Sequence, residues 1–363
     1  NISLNATTLN IILPVGISFY TFQTLSYTID VYMKQLTATK DFIAFSAFVS
    51  FFPQLVAGPI ERATHLLPQF QKPRIFDNQI ATSGLKLMAW GFFKKIVIAD
   101  NVAQFVEIVY KNPENFHGSA ILLATLFFSI QIYCDFSGYS DIAIGCSRLF
   151  GFDLMKNFNA PYFASSPREF WRKWHISLST WFRDYLYIPL GGNKTTFRRT
   201  QFNLLLTFII SGLWHGANLT FVIWGYLHGV VMNLQNLFAH YKIKFALPKP
   251  IAILFTFLFV SFAWIFFRAE NVQDAFLIIN NMFYASTTAE KNIMFKDLIS
   301  PLMLVASLSL FLIIEVCIQN KKLIKLFTNQ PTLIRWSGYY FLIFWIIIFG
   351  AWNVKPNFIY FQF

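Results

Sequence analysis

Charged residues are scarce in this sequence. Asp, Glu, Lys and Arg make up 13% of its 363 residues, against about 25% in an average soluble domain. A disordered chain is excluded, because disorder goes with high charge and low hydrophobicity. The three cysteines follow no motif spacing, which excludes a disulfide scaffold. Regular alternation of apolar and polar residues is also missing, and this excludes a transmembrane barrel.

Apolar residues dominate instead. They make up 56% of the chain, and phenylalanine alone occurs 45 times. A soluble protein of this size could not bury so much apolar surface in one core. The composition therefore predicts an all-α fold, a polytopic bundle of transmembrane helices surrounded by lipid. No extramembrane domain is evident, so we expect a single membrane-embedded unit over residues 1–363.

Basic residues outnumber acidic ones, 29 to 17, which gives a net charge of +12. They lie between the apolar runs, where Lys and Arg hold loops on the cytoplasmic side of a membrane. No module with interleaved basic and aromatic residues stands out. We therefore expect no nucleic-acid partner.

Uncharged apolar runs predict the spanning helices, which need about 20 residues each and about 17 at the least. Residues 200–241 form the longest such run and could make two short spans. Apolar segments at 11–29, 42–60 and 84–110 are broken by proline, glycine or lysine, and we expect tilted, half-buried or interfacial helices there. Single spans are predicted at 118–134, 250–267, 298–314 and 336–354.

The charges between these runs predict an orientation. Residues 168–199 contain seven basic and two acidic residues, which assigns them to the cytoplasmic face. If residues 200–241 cross the membrane twice, the other basic loops are cytoplasmic too and the C-terminal tail lies outside. A single pass through that run would break the alternation.

His215 is the first candidate for chemistry. It lies inside the longest uncharged run between Gly212 and Gly216, where a backbone, a substrate or a tunnel can approach closely. A neutral imidazole at membrane depth needs a partner, and an ordinary pKa of about 6.5 suits a general base acting on a hydroxyl. A structural histidine bonded to a neighbouring helix fits the sequence equally well.

His175 is the second candidate, in a segment that also contains Arg172, Lys173 and Trp174. One interpretation is an interfacial helix, with tryptophan at the headgroup level and basic residues facing anionic lipid. The other is a cationic entrance that attracts an anionic donor, with His175 at its mouth. His228, in another apolar run, is expected to be a packing residue.

Two acidic residues, Asp135 and Asp141, are expected at the end of the predicted span 118–134. There they could orient a histidine, pair with Arg148 or cap helices. The spacings of His, Cys and acidic residues match no ligand pattern, so no metal site is predicted.

Five segments form an ordered set through about the first two-thirds of the chain: FPQLVAGPI (52–60), DFSGYSDIA (135–143), FWRKWHISLS (170–179), FRDYLYIPLGG (182–192) and GLWHGA (212–217). Together they resemble the membrane-bound O-acyltransferase (MBOAT) superfamily, specifically its bacterial alginate O-acetyltransferase branch. The family usually has further apolar helices before the first motif, so we expect N-terminal helices to be missing here.

The resemblance implies a helical bundle around a central tunnel, in which His215 matches the family's active-site histidine and His175 its second histidine. It implies a multi-pass O-acetyltransferase of the bacterial inner membrane. The expected donor is acetyl-CoA, bound by Arg172, Lys173 and Trp174. The expected partners are a periplasmic acetyltransferase or esterase-like protein and a cell-envelope polysaccharide of the alginate type. Peptidoglycan O-acetylation and D-alanyl transfer to teichoic acid are the alternatives.

The C-terminal tail, residues 358–363, resembles an aromatic motif associated with acyl relay through a tyrosine hydroxyl in cell-envelope acyltransferase systems. Tyr360 is therefore the third expected catalytic residue, and an interfacial aromatic anchor is the alternative. Two non-enzyme functions also remain open. A transporter would use broken helices and intramembrane polar groups, although no inverted repeat is found. A non-catalytic scaffold for envelope enzymes would not need His215.

Overall fold

The computed structural model describes residues 16–56, 58–243, 247–287 and 301–353. Regular structure in these ranges is helical, without strands. We number the helices α1 Ile17–Tyr32, α2 Phe42–Val49, α3 Phe52–Leu55, α4 Ala63–Phe70, α5 Asn78–Phe92, α6 Asp100–Lys111, α7 Ser119–Leu149, α8 Pro167–Trp171, α9 Ile176–Phe182, α10 Phe197–His215, α11 Leu219–His240, α12 Lys249–Arg268, α13 Val272–Asn281, α14 Pro301–Gln319, α15 Lys321–Thr328 and α16 Thr332–Phe349. A π-helical segment, Phe93–Ala99, joins α5 to α6, and another, Arg183–Tyr187, extends α9.

Four of the described helices are long and apolar enough to cross a membrane: α7, α12, α14 and α16. They overlap the four predicted single spans, which confirms the all-α membrane fold. The apolar window of α7 is 72% buried inside the protein, whereas that of α16 is 6% buried. The centre of the bundle is therefore α7, and α16 lies at its edge with an apolar surface suited to lipid.

The uncharged run 200–241 forms two helices, α10 and α11, but neither is among the four described helices that are long and apolar enough to cross a membrane, so the two short spans stay a prediction. Helices α10 and α11 pack antiparallel, so that Gln201 and Asn233 exchange hydrogen bonds near one end of the pair. At the other end a Cβ on Gly212 would clash with the carbonyl oxygen of Phe221. Glycine is required there because the two backbones cross closely.

Helix α7 is much longer than the predicted span, and the expectation that Asp135 and Asp141 could cap helices is wrong. Both lie in its interior and are paired. Asp135 is 2.8 Å from Lys95 Nζ, and Asp141 is 2.6 Å from Lys94 Nζ. Paired carboxylates can remain inside a bundle, so the helix continues past them. Arg148, one expected partner, instead lies near Ser83.

The two lysines belong to the π-helical segment Phe93–Ala99, which is buried more deeply than an interfacial helix would be. Glycines on the preceding helix α5 permit this depth. A Cβ on Gly91 would lie 2.6 Å from the carbonyl oxygen of Gly138 in α7, and one on Gly84 would lie 2.5 Å from that of Gly145. The helices approach backbone to backbone because small residues face each other at two-turn intervals.

Candidate functional site

His175 lies in the protein interior rather than at its surface, with 1% of its area exposed. It directly precedes α9 and has a left-handed backbone, with φ 40° and ψ 56°. Its ring packs edge-on against Phe136, with centroids 4.5 Å apart. Nδ1 is 3.1 Å from Oδ1 of the buried Asn157. The segment before α9 therefore turns inward and places the imidazole of His175 in the core.

His215 is the last residue of α10 and is partly exposed. Gly216 follows with an extended backbone and ends the helix. The imidazole is surrounded by aromatic rings: Trp214 at 4.8 Å, Phe267 at 5.0 Å and Trp224 at 5.2 Å between centroids. An imidazole among such rings, at the bend between two helices, is accessible while most of its surroundings are apolar.

The structure brings the two histidines together although they are 40 residues apart in sequence. A shared aromatic cluster joins them: the ring of Phe19 contacts that of Phe136, beside His175, and that of Trp214, beside His215. This juxtaposition is the geometric core of the candidate site, and the catalytic roles of both histidines stay predictions.

The three predicted donor-binding residues occupy different environments. Trp174 is buried, stacks on Phe170 with centroids 5.4 Å apart, and contacts Trp264. Its ring is therefore not on the protein surface. The ammonium of Lys173 is 2.7 Å from Oε1 of Glu169. Arg172 is exposed and has no ion pair within the described ranges, so its charge is the most available of the segment.

The carboxylate of Glu169 also accepts hydrogen bonds from the Ser165 amide and hydroxyl, at 2.8 and 2.7 Å. Burial by itself would raise the pKa of Glu169, but the hydrogen bonds from Lys173 and Ser165 outweigh it and lower that pKa to about 2. The carboxylate is therefore charged at neutral pH and partly neutralises Lys173.

Helix α11 contributes a feature that the sequence analysis missed. Thr220, Trp224 and His228 are spaced by four residues and so share one helix face. Their Oγ1, Nε1 and Nε2 atoms are buried without a hydrogen-bond partner among the described residues. Buried polar atoms ordinarily have partners. This face, called here the α11 polar face, therefore indicates a place where a ligand or water is bound.

The protonation of His228 can be assigned. Its Nδ1 accepts a hydrogen bond from the indole nitrogen of Trp171 at 3.2 Å, so the ring hydrogen of a neutral imidazole is on Nε2. Trp224 lies between the two histidines, with centroids 5.2 Å from His215 and 5.0 Å from His228. The α11 polar face thus includes two N–H donors, and one of them belongs to Trp224, whose ring contacts that of His215. His228 is buried and packs against aromatic rings, as expected, but its Nε2–H has no hydrogen-bond partner among the described residues.

Tyr360 and the rest of the tail 358–363 lie outside the described residues. Within the ranges that the structure covers, no three His, Cys, Asp or Glu side chains are grouped so that they could hold a metal ion.

Comparison with known proteins adds independent information. Residues 33–269, more than half of the chain, match the model of the MBOAT, membrane-bound O-acyltransferase family. The matched region contains all five motifs, both histidines and the α11 polar face.

Individual relatives have three different names. The chain is 46% identical over 277 residues to a "Probable alginate O-acetylase AlgI" of Azotobacter vinelandii, covering 76% of this chain and 54% of that protein. It is 39% identical over 303 residues to a "Peptidoglycan O-acetyltransferase" of Helicobacter pylori, covering 76% and 58%. It is 28% identical over 278 residues to a "Teichoic acid D-alanyltransferase" of Bacillus subtilis, covering 72% and 70%. The chain spans about half the length of the first two.

Proposed function

The chain belongs to the membrane-bound O-acyltransferase family, and from this premise we propose that it is an O-acetyltransferase of the bacterial inner membrane. It moves an acetyl group from a cytoplasmic donor to the outer side, for O-acetylation of an alginate-type cell-envelope polysaccharide. The observation that carries the proposal is that His175 and His215 both contact one aromatic cluster, His175 through Phe136 and His215 through Trp214. The similarity to alginate O-acetylases supports the acetyl group and the acceptor class.

The proposed reaction transfers an acetyl group from a thioester to a hydroxyl. His215 removes the proton of the acceptor hydroxyl as its oxygen attacks the thioester carbonyl. The new C–O bond forms, the C–S bond breaks, and the proton passes from His215 to the leaving thiolate. The indole N–H of Trp224, beside His215, is positioned to stabilise the negative charge that develops on the carbonyl oxygen.

Acetyl-CoA is the proposed donor. Its phosphates carry the negative charge that Arg172 and Lys173 would attract, and Trp174 packs behind these residues. The α11 polar face offers N–H groups to the carbonyl oxygens of an amide-containing thioester arm. Exchanging Arg172 and Lys173 for Gln should raise the donor KM and reduce its dependence on salt, because a screened attraction is removed. Arg198→Gln, in the same basic segment, is the control.

His215→Ala is the decisive test of the enzyme. Vesicles that contain the variant should transfer radiolabelled acetyl groups to polymer about 10²–10⁴-fold more slowly than wild type, the usual contribution of a general base. His240→Ala, at the exposed end of α11, is the matched control. Acetylation within tenfold of wild type in His215→Ala would contradict the proposal and favour a scaffold. Donor exchange without acetyl transfer would favour a transporter.

The proposal continues outside the membrane with a relay through Tyr360 to a periplasmic acetyltransferase or esterase-like partner. A phenolate leaves an ester more readily than a sugar alkoxide does, because its conjugate acid has a pKa of about 10. Tyr360→Phe should therefore stop polymer acetylation, and mass spectrometry should find an acetyl group on the wild-type C-terminal peptide. Normal acetylation by Tyr360→Phe would mean that the tail is only an anchor.

Peptidoglycan is the second candidate acceptor, favoured by the similarity to the peptidoglycan O-acetyltransferase. A panel of alginate, peptidoglycan and teichoic acid acceptors, each assayed with the candidate periplasmic partner, distinguishes the polymers. Acetylation of peptidoglycan alone would replace the alginate-type assignment while leaving the chemistry at His215 unchanged.

A further inference from the structure

Asn157 lies at the centre of a buried polar network beside the candidate site. It is completely buried, and its side chain and backbone both contact the segment that contains His175. Its Oδ1 is 3.1 Å from His175 Nδ1, and its backbone carbonyl accepts a hydrogen bond from the Ile176 amide at 2.8 Å. Burying a polar side chain this deeply costs free energy unless it is hydrogen-bonded.

The orientation of the Asn157 amide follows from its neighbours. The backbone N–H of Ser177 lies 3.3 Å from Oδ1, and an N–H can donate only to the oxygen. The Ser177 hydroxyl accepts from the Ile60 amide at 3.0 Å, which leaves its hydrogen to donate to the same Oδ1 at 2.9 Å. On the other side, Nδ2 donates to Ser140 Oγ at 3.0 Å. The acceptor oxygen therefore faces His175.

We propose that Asn157 is a positioning residue that holds His175 with its ring hydrogen on Nδ1 and its lone pair on Nε2. An oxygen acceptor 3.1 Å from Nδ1 requires that Nδ1 carry the hydrogen. Because the amide is uncharged, it orients the ring without the preference for imidazolium that a carboxylate would introduce. Nε2 then has the lone pair and can only accept a hydrogen bond.

The backbone around His175 supports the same role. A left-handed conformation is uncommon and strained for a residue with a Cβ. Two backbone hydrogen bonds keep it in place, one from Ile176 to Asn157 and one from Asn159 to the Lys173 carbonyl, at 2.8 and 2.9 Å. The segment that starts at Asn157 thus sets both the direction in which the imidazole points and which of its nitrogens carries hydrogen.

The catalytic value of this arrangement rests on the proposed function, but its chemistry can be measured separately. Protein labelled with ¹⁵N-histidine and reconstituted in lipid gives different ring-nitrogen shifts for protonated and unprotonated nitrogens, and His175→Gln identifies the signals of His175. We expect a protonated Nδ1 and an unprotonated Nε2 in wild type. Asn157→Asp keeps an acceptor of the same shape and should keep hydrogen on Nδ1. A hydrogen on Nε2 alone in wild type would overturn the proposal, whatever the enzyme's activity.

Kinetics supply the second measurement. Asn157→Leu should lower kcat by at least about tenfold, because catalysis depends on the correct protonation pattern, and should change the donor KM by less than about twofold. Asn157→Asp should recover most of kcat if both variants insert and purify normally. Asn115→Leu is the matched control, since Asn115 is exposed and its side chain donates to the neighbouring Glu114 at 3.0 Å. Wild-type kcat in Asn157→Leu, or equal losses in the Leu and Asp variants, would contradict a positioning role.

Discussion

The buried ion pairs of Lys95 with Asp100 and Asp135 allow a prediction of how burial changes the effect of an ion pair on stability. Its ammonium is 2.7 Å from Asp100 and 2.8 Å from Asp135, and all three side chains are at most 11% exposed. Lys111 and Glu107 form an ion pair of similar length, 2.6 Å, but with 58% and 50% of the side chains exposed. Replacing each lysine by methionine therefore compares similar contacts in two environments.

The expected magnitudes differ several-fold. At an effective dielectric constant of about 20, each contact of Lys95 corresponds to about 6 kcal/mol of Coulomb attraction before desolvation is counted. Desolvation offsets much of this, and removing one partner of a buried pair typically costs about 3–5 kcal/mol because it leaves charge buried and uncompensated. Lys95→Met should therefore lower the free energy of unfolding by about that amount. Lys111→Met should lower it by less than about 1 kcal/mol.

The assay is denaturant unfolding in lipid–detergent micelles, followed by tryptophan fluorescence. A triple variant, Lys95→Met with Asp100→Asn and Asp135→Asn, removes all three charges and should recover most of the loss, since neutral replacement of a whole buried cluster is often nearly free of cost. Equal, small effects of Lys95→Met and Lys111→Met would refute the reasoning. So would a triple variant less stable than Lys95→Met alone.

Three further outcomes are expected. Gly91→Leu should destabilise the protein by at least about 1–3 kcal/mol, because its side chain would press on the Gly138 carbonyl, and thermal unfolding in detergent measures this. His228→Phe should raise the donor KM several-fold in the transfer assay, because an N–H of the α11 polar face is lost. Glu169→Gln should lower the KM of an anionic donor two- to threefold, because Lys173 loses its counter-charge. Since the pKa of Glu169 is about 2, the stability contributed by its ionised form should remain at neutral pH and be lost only as the pH falls from about 4.5 towards 2.

Each of these changes has a control of the same chemistry. Gly338→Leu introduces the same side chain where the nearest atoms belong to the ring of Phe327, at 3.4 Å, and should be tolerated. His240→Phe removes an imidazole at the exposed end of α11 and should leave the donor KM unchanged. Glu114→Gln removes an exposed carboxylate far from Lys173 in sequence. A control that changes the stability or the donor KM as much as its matched variant does would contradict the corresponding prediction.

Hydropathy was sufficient to predict the four single spans. An unpaired charge is costly in lipid, and a stretch without charged residues can be recognised directly in the sequence. The same rule misplaced the end of α7. It takes Asp135 and Asp141 as stops, whereas their partners, Lys95 and Lys94, lie 40 and 47 residues earlier. Ion pairing with these distant lysines allows the aspartates to lie inside the helix, so a charged residue no longer marks its end. A single sequence does not show which residues pair.

The candidate site was predictable in part. Position in the sequence selected His215 and His175 and motif resemblance implied their roles, but the 40 residues between them left their relative position open until the fold brought them to one aromatic cluster. The α11 polar face has a readable spacing at Thr220, Trp224 and His228, yet only burial shows that its polar atoms lack partners. Asn157 gave no signal of its own, because its importance comes from contacts across the chain.

The π-helical segment Phe93–Ala99 also determines the helical phase of the charge cluster. In a regular α-helix, residues five apart are separated by about 140° around the axis, so Lys95 and Asp100 would point in different directions. A π-helix bonds residue i to residue i+5 and so aligns such a pair, which agrees with the 2.7 Å separation of their charged atoms. Relative to an α-helix, the π-helical turn contains one more residue, and this rotates Asp100 around the helix axis into line with Lys95. Deleting one residue there would turn Asp100 away from Lys95 while leaving the composition of the cluster unchanged.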